Sequence, residues 1–263
     1  MCPLGIWVLV PSVCLATLAA LFGQVGNRVE KKRILIQNLG LLRGSGNDYQ
    51  VAVTLVNLAD ANRMLDFLEE TIRQAREALD IFGRLGETQQ QTHCLLILAL
   101  LFRNDNQLDA AEEAATRAMD LSKYRDQLCE CHGVLGQIQQ SKGNTKEAVH
   151  HFEESLRIAS SINSRGDLSE SHLCLADLYI EQDKLNDAQT HIEHVKSLAQ
   201  DDKLKLGSAF YCGAEVLYKQ KRFEEAKSEV LRALAIFEEL GATTSAENTR
   251  RTLEAVEETI NLS

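Results

Sequence analysis

The sequence predicts an all-α protein, a right-handed solenoid of stacked helical hairpins with a C-terminal capping helix. Three observations predict it. Both prolines, Pro3 and Pro11, stand at the start, and 252 residues follow without another. Proline removes a backbone donor and clashes with the preceding turn, so its absence permits long uninterrupted helices. A small residue recurs at intervals of 37–40. Residues 244–263 carry a single apolar stripe at helical spacing. Leu, Ala, Glu, Gln, Lys and Arg dominate and are strong helix formers. The alternating Val-Ile-Thr runs and Asn-Gly or Asp-Gly turns of hairpin sheets are missing.

Residues 1–47 come first. They open MCPLGIWVLVPSVCLATLAALFGQVG, with no charged side chain before Arg28. Counting 40 back from Ala59 reaches Ala19, and Leu15, Leu18, Ala19 and Phe22 repeat the spacing of Leu95, Leu98, Ala99 and Phe102. Pro11 then opens a helix as its first residue, where a missing N–H needs no partner. Leu35 falls where Phe152 stands later. Lys31 falls where an alanine is due, and Asn38 also departs from the pattern. The stretch reads as a degenerate first hairpin, and two alternatives stay open. As a signal sequence it has an apolar core and a passable cleavage site at Thr17-Leu18-Ala19, but no basic residue before the core. As an anchor it has about 18 apolar residues, followed by the basic Lys31, Lys32 and Arg33.

Residues 48–243 hold five repeats. LVNLADAN (55–62), LLILALLF (95–102), HGVLGQIQ (132–139), HLCLADLY (172–179) and FYCGAEVL (210–217) share one pattern. The small residue in fifth place is Ala59, Ala99, Gly136, Ala176 or Ala214. Twelve residues later stand Thr71, Ala111, Ala148, Ala188 and Ala226, and seven further on Ala78, Ala118, Ser155, Val195 and Ala233. Paired helices approach to about 8–10 Å only where facing side chains are small. Larger apolar residues fill the surrounding space: Leu58, Leu98, Leu135 and Leu175 before the small residue, Phe102 and Tyr179 after it. RNDNQ, SKGNT, EQDK and KQKR form polar turns within hairpins. GRLGET, SINSRGD and EELGATT separate hairpins and supply Gly C-caps with Thr, Ser or Asp N-caps. In 244–263, Thr249, Leu253, Val256 and Ile260 line one face and charged residues the rest, as a capping helix requires.

Over Gln50 to Ala242 this pattern resembles the tetratricopeptide repeat (TPR) family. The residues that carry the likeness are the Leu-small pair, the following aromatic and the two later small positions. The family's period is about 34 and its unit ends in proline. Here the period is longer and that proline is missing. The longer unit resembles kinesin-light-chain arrays and the C-terminal sensor arrays of fungal NLR-like (STAND) ATPases. The resemblance implies a non-catalytic protein–protein interaction scaffold, without cofactors, binding a peptide or protein in its concave groove. The narrower likeness implies the sensor module of a signalling ATPase. The alternative is a secreted or membrane-anchored repeat protein that uses residues 1–26 as signal or anchor.

Other chemistry is scarce. Net charge is −10 and pI about 5.3, which opposes general nucleic-acid binding. The seven cysteines (Cys2, Cys14, Cys94, Cys129, Cys131, Cys174 and Cys212) are odd in number and irregular in spacing. They read as reduced thiols of a cytoplasmic protein. No phosphate-binding loop occurs, and GLLRGSGND (40–48) lacks the dinucleotide fingerprint. In CECH, Cys129 and Cys131 diverge on a helix and cannot share a metal. His191 and His194 share a face, but H-E-x-x-H is absent. His132 and His172 stand where the family carries a large aromatic and read as half-buried packing residues. No cysteine has an evident histidine partner, so no catalytic, cofactor or metal residues are assigned.

The groove should be lined by residues one and four after each small position, and three and six before it. The first two repeats contribute Val53, Val56, Asp60 and Arg63, then His93, Leu96, Leu100 and Arg103. The third contributes Glu130, Gln137 and Gln140. The last two contribute Glu170, Leu173, Asp177 and Ile180, then Tyr211, Glu215 and Tyr218. Chaperone-binding members of the family clamp a carboxylate with Lys and Asn, where this chain has Asp60, Leu100, Gln137, Asp177 and Glu215. The expected partner therefore has apolar anchors and basic residues.

Overall fold

The computed structural model describes residues 5–24, 28–63 and 67–262. Residues 1–4 and Gly26 lie outside them, as do the side chains of 5–10 and of Arg63. Among the described residues every regular element is a helix. They form two compact units.

Unit 1 (Met1–Lys123) contains α1 (Gly5–Gln24), α2 (Arg28–Leu42), α3 (Asp48–Arg63), α4 (Leu68–Leu85), α5 (Thr88–Asn104) and α6 (Leu108–Leu121). The helices pack as α1 with α2, α3 with α4 and α5 with α6. Ala19 is buried with Leu15 and Phe22 against it, whereas Leu18 is 41% exposed. Leu35 is buried. Lys31, in place of the expected alanine, reaches Asp60 at 3.1 Å. Asn38 is buried with its Oδ1 unpartnered. Pro11 does not open α1 but lies inside it, since the helical backbone already runs from Gly5. Among the described residues no helix is long and apolar enough to cross a membrane.

Unit 2 (Tyr124–Ser263) contains α7 (Arg125–Ser141), α8 (Thr145–Ser161), α9 (Arg165–Glu181), α10 (Leu185–Leu198), α11 (Lys203–Lys219), α12 (Phe223–Glu239) and α13 (Thr243–Leu262). Three hairpins form in order, and α13 packs on α12. The first helices also touch each other, α7 with α9 and α9 with α11. In α13, Ala246, Thr249 and Val256 are buried, while Leu253 and Ile260 are half-buried.

The recurrent small residues sit where the helices of a pair meet. Ala59, Ala99, Ala176 and Ala214 are buried. Gly136 has no room for a side chain, because a Cβ there would stand 2.4 Å from the Phe152 ring. Phe152 lies sixteen residues beyond Gly136, and the equivalent residues in the other hairpins are Ala75, Ala115, Ile192 and Val230. The smallest first-helix residue thus faces the largest second-helix one, which keeps the interior filled.

The turns within hairpins also repeat. Asn106, Gly143, Asp183 and Lys221 have φ of 60°, 77°, 60° and 63°. At each, the next amide bonds back to the helix, as Arg222 N–H does to the Leu217 carbonyl at 2.9 Å. For an L-residue the left-handed region costs about 1–2 kcal/mol, while glycine's extra chain entropy costs about 0.5–1 kcal/mol. Lys221→Gly should therefore stabilise by about 0.5–1 kcal/mol. Chemical denaturation checks this, and an unchanged or lower midpoint would refute it. Between hairpins the expected caps form only in part: Gly86 ends α4 in the left-handed region, whereas α5 opens at Glu87 and not at Thr88, with no side-chain cap. Ser164 Oγ accepts from the Asp167 amide, and the Asp202 carboxylate accepts from that of Lys205.

Candidate functional site

Because α7, α9, α11 and α13 lie side by side, side chains at the same offset in each repeat converge in unit 2. They line a cleft of about 980 Å³. Gln140 enters from α7, Asp177, Ile180 and Glu181 from α9, and Tyr211, Glu215 and Tyr218 from α11. The opposite wall is α13, through Asn248, Arg251, Thr252 and Ala255. Counting 40 from Ala214 reaches Glu254, and Asn248, Arg251 and Ala255 hold the six-before, three-before and one-after places relative to it. The α13 wall was missed because a glutamate stands where the small residue should be.

Two hydroxyl contacts hold α13 to the cleft. Tyr211 Oη meets Thr252 Oγ1 at 3.1 Å, and Tyr218 Oη meets Thr259 Oγ1 at 3.1 Å. Asp177 and Glu215 occupy equivalent places on adjacent helices. Desolvation holds the Asp177 carboxyl above its ordinary pKa, opposed by the Cys212 thiol, which donates to it at 3.0 Å, and reinforced by Glu181 and Glu170. Glu215 is raised by desolvation and by Asp177, against the Tyr211 hydroxyl and Lys219. Gln140 Nε2 donates to Glu181 Oε1 at 2.8 Å. This corner of the cleft is anionic, with two tyrosines beside it, and Ile180, 6% exposed, belongs to the interior beneath.

The remaining predicted residues stand apart from the cleft. Glu130 and Glu170 are exposed, the latter 3.8 Å from Lys205 Nζ. Gln137 is half-buried and donates to Cys174 Sγ at 3.6 Å. In unit 1, His93 is exposed, Leu100 and Arg103 are half-buried, and Arg103 donates to Asn104 Oδ1 at 3.2 Å. Leu96 is 5% exposed and belongs to the interior. The helical offset sets a residue's direction but not its depth.

The described cysteines are unbridged. Burial pushes the Cys94 thiol up to about 12 and raises that of Cys212 well above its usual value. Both are therefore protonated at neutral pH, the wrong state for a nucleophile. Among the described residues no three His, Cys, Asp or Glu side chains converge on a metal position.

Residues 130–162 match the family model described as tetratricopeptide repeat. No curated protein matches the sequence. A Rap protein solved in complex with competence and sporulation factor aligns with 96% of this chain and 76% of its own, at 15% identity and a TM-score of 0.71. Kinesin-light-chain-like repeats from Podospora anserina align over 73% and 98%, at 19% identity and a TM-score of 0.56. A STAND protein with a tetratricopeptide repeat sensor, from Pyrococcus horikoshii, aligns over 90% of this chain and 37% of its own, at 15% identity and a TM-score of 0.66. Residues 130–162 thus match one tetratricopeptide repeat, inside an all-α fold shared along most of the chain with such solved repeat arrays.

Proposed function

We propose that the chain is a non-catalytic interaction scaffold whose unit 2 cleft holds a protein or peptide segment bearing apolar anchors and a Lys or Arg. The observation that carries this reading is the pair Asp177 and Glu215, carboxylates at equivalent places on α9 and α11, both held above their ordinary pKa and Glu215 in part by Asp177. A cation docked between them would relieve both costs. Tyr211 and Tyr218 supply the aromatic surface next to them, with Ile180, 6% exposed, beneath it. The Rap neighbour, solved with a bound factor, and the STAND neighbour, with its repeat sensor, support a recognition role. On this reading the chain works in the cytoplasm, as the sensor part of a signalling assembly.

The test is affinity capture with the intact chain, followed by titration of the captured segment. Asp177→Lys with Glu215→Lys should weaken binding by at least about tenfold, with Glu170→Lys adding a smaller loss, since Asp177 and Glu215 line the cleft and Glu170 does not. Undiminished affinity in the double variant would sink the proposal.

A further inference from the structure

We propose that the imidazole pairs His132–His151 and His172–His191 form an acid-sensitive joint that ties α7 to α8 and α9 to α10 at neutral pH and lets go on acidification. Six of the seven histidines of the chain fall in these two hairpins. Nδ1 of His132 lies 3.0 Å from Nδ1 of His151, and Nδ1 of His172 lies 2.8 Å from that of His191. The members of each pair are nineteen residues apart, so the contact occupies one place in two successive repeats.

The ring centres are 5.2 and 5.1 Å apart, close to the N···N distance plus two ring radii. The facing nitrogens therefore point at each other and not at a common third point, as chelation of one ion would require. Such a contact is an N–H···N hydrogen bond, with one Nδ1 carrying hydrogen and the other bare. A first added proton goes to the outer Nε2 of the donor ring and keeps the bond. A second must go to the accepting Nδ1, because the Nε2 of that ring already carries hydrogen. Two N–H groups then face each other and the bond is lost.

The surroundings favour the neutral pair. Desolvation, then His191 and His194, lowers His172 to about 4. Desolvation and His194 lower His191, with Asp187 opposing. The Tyr179 ring of α9 packs on His191 at 5.5 Å, and Glu153 of α8 faces that tyrosine. Desolvation also lowers His132, with His150 and Arg157 assisting and Glu154 opposing. Groups held below their unfolded value of 6.5 contribute stability that is full above it and lost as pH falls below it, for His172 toward about 4. Glu130, Asp177 and Glu215 are raised, so their protonation favours the folded state as pH falls and cannot produce the same loss.

This inference goes beyond the cleft reading and holds whether or not the cleft binds a peptide. It is tested by unfolding the full chain and the variant H132Q/H151Q/H172Q/H191Q between about pH 7.5 and about pH 4.5. Glutamine keeps hydrogen-bonding capacity without titrating. The unfolding constant of the native chain should rise more steeply on acidification, by about tenfold per pH unit for each extra proton taken up. Equal slopes would overturn the proposal. Should the variant fail to fold, nitrogen NMR of the native rings decides instead. One Nδ1–H per pair is expected, and a bare Nδ1 on both rings of a pair would overturn it.

Discussion

Phe152→Ala is expected to destabilise unit 2 by about 3–5 kcal/mol, the range for emptying a fully buried aromatic site. Phe152 is 0% exposed and covers Gly136. The converse change, Gly136→Val, forces atoms into the space of that ring and should cost about 1–3 kcal/mol or more. Because the two sites contact each other, their effects should not add. Gly136→Ala combined with Phe152→Leu should lose much less than the two single changes summed. Denaturant titration of all four chains completes the cycle, and simple additivity would show that the ring does not depend on the glycine.

The second large effect is expected inside unit 1. Asn62 is 0% exposed and donates through Nδ2 to Gln74 Oε1 at 2.8 Å, while its own Oδ1 has no partner. Gln74→Leu would strand a buried amide and should cost about 1–3 kcal/mol. Asn62→Leu with Gln74→Leu removes donor and acceptor together and should restore or exceed native stability, because no desolvated polar group remains. A double variant less stable than the Gln74→Leu single variant would contradict this account.

Much of the fold was legible because close helix packing leaves a mark in composition. Ala99 or Ala176 must be small for the paired helices to meet, and helix-breaking proline must stay away, so the spacing of small residues reports the hairpins. Part of the site was legible for the same reason. Fixed helical offsets from the small residues put Asp177, Tyr211, Glu215 and Tyr218 on one wall of the cleft. Other features were hidden. The place of Pro11 within α1 depends on the helix continuing upstream, which local rules for proline do not reveal. The role of α13 was masked by Glu254. The imidazole pairs bring together residues from two helices, and only the way each hairpin closes decides that Nδ1 meets Nδ1.

The reciprocal sizes in the hairpins also limit how such arrays can be recombined. Gly136 is matched to Phe152, and the equivalent places in the next hairpin hold Ala176 and Ile192. A chimera joining α9 to α8 would press an alanine methyl into a phenyl ring, and one joining α7 to α10 would leave a void beside isoleucine. Exchangeable modules in this chain are therefore whole hairpins, and crossover points belong in segments such as SINSRGD, not in turns such as SKGNT.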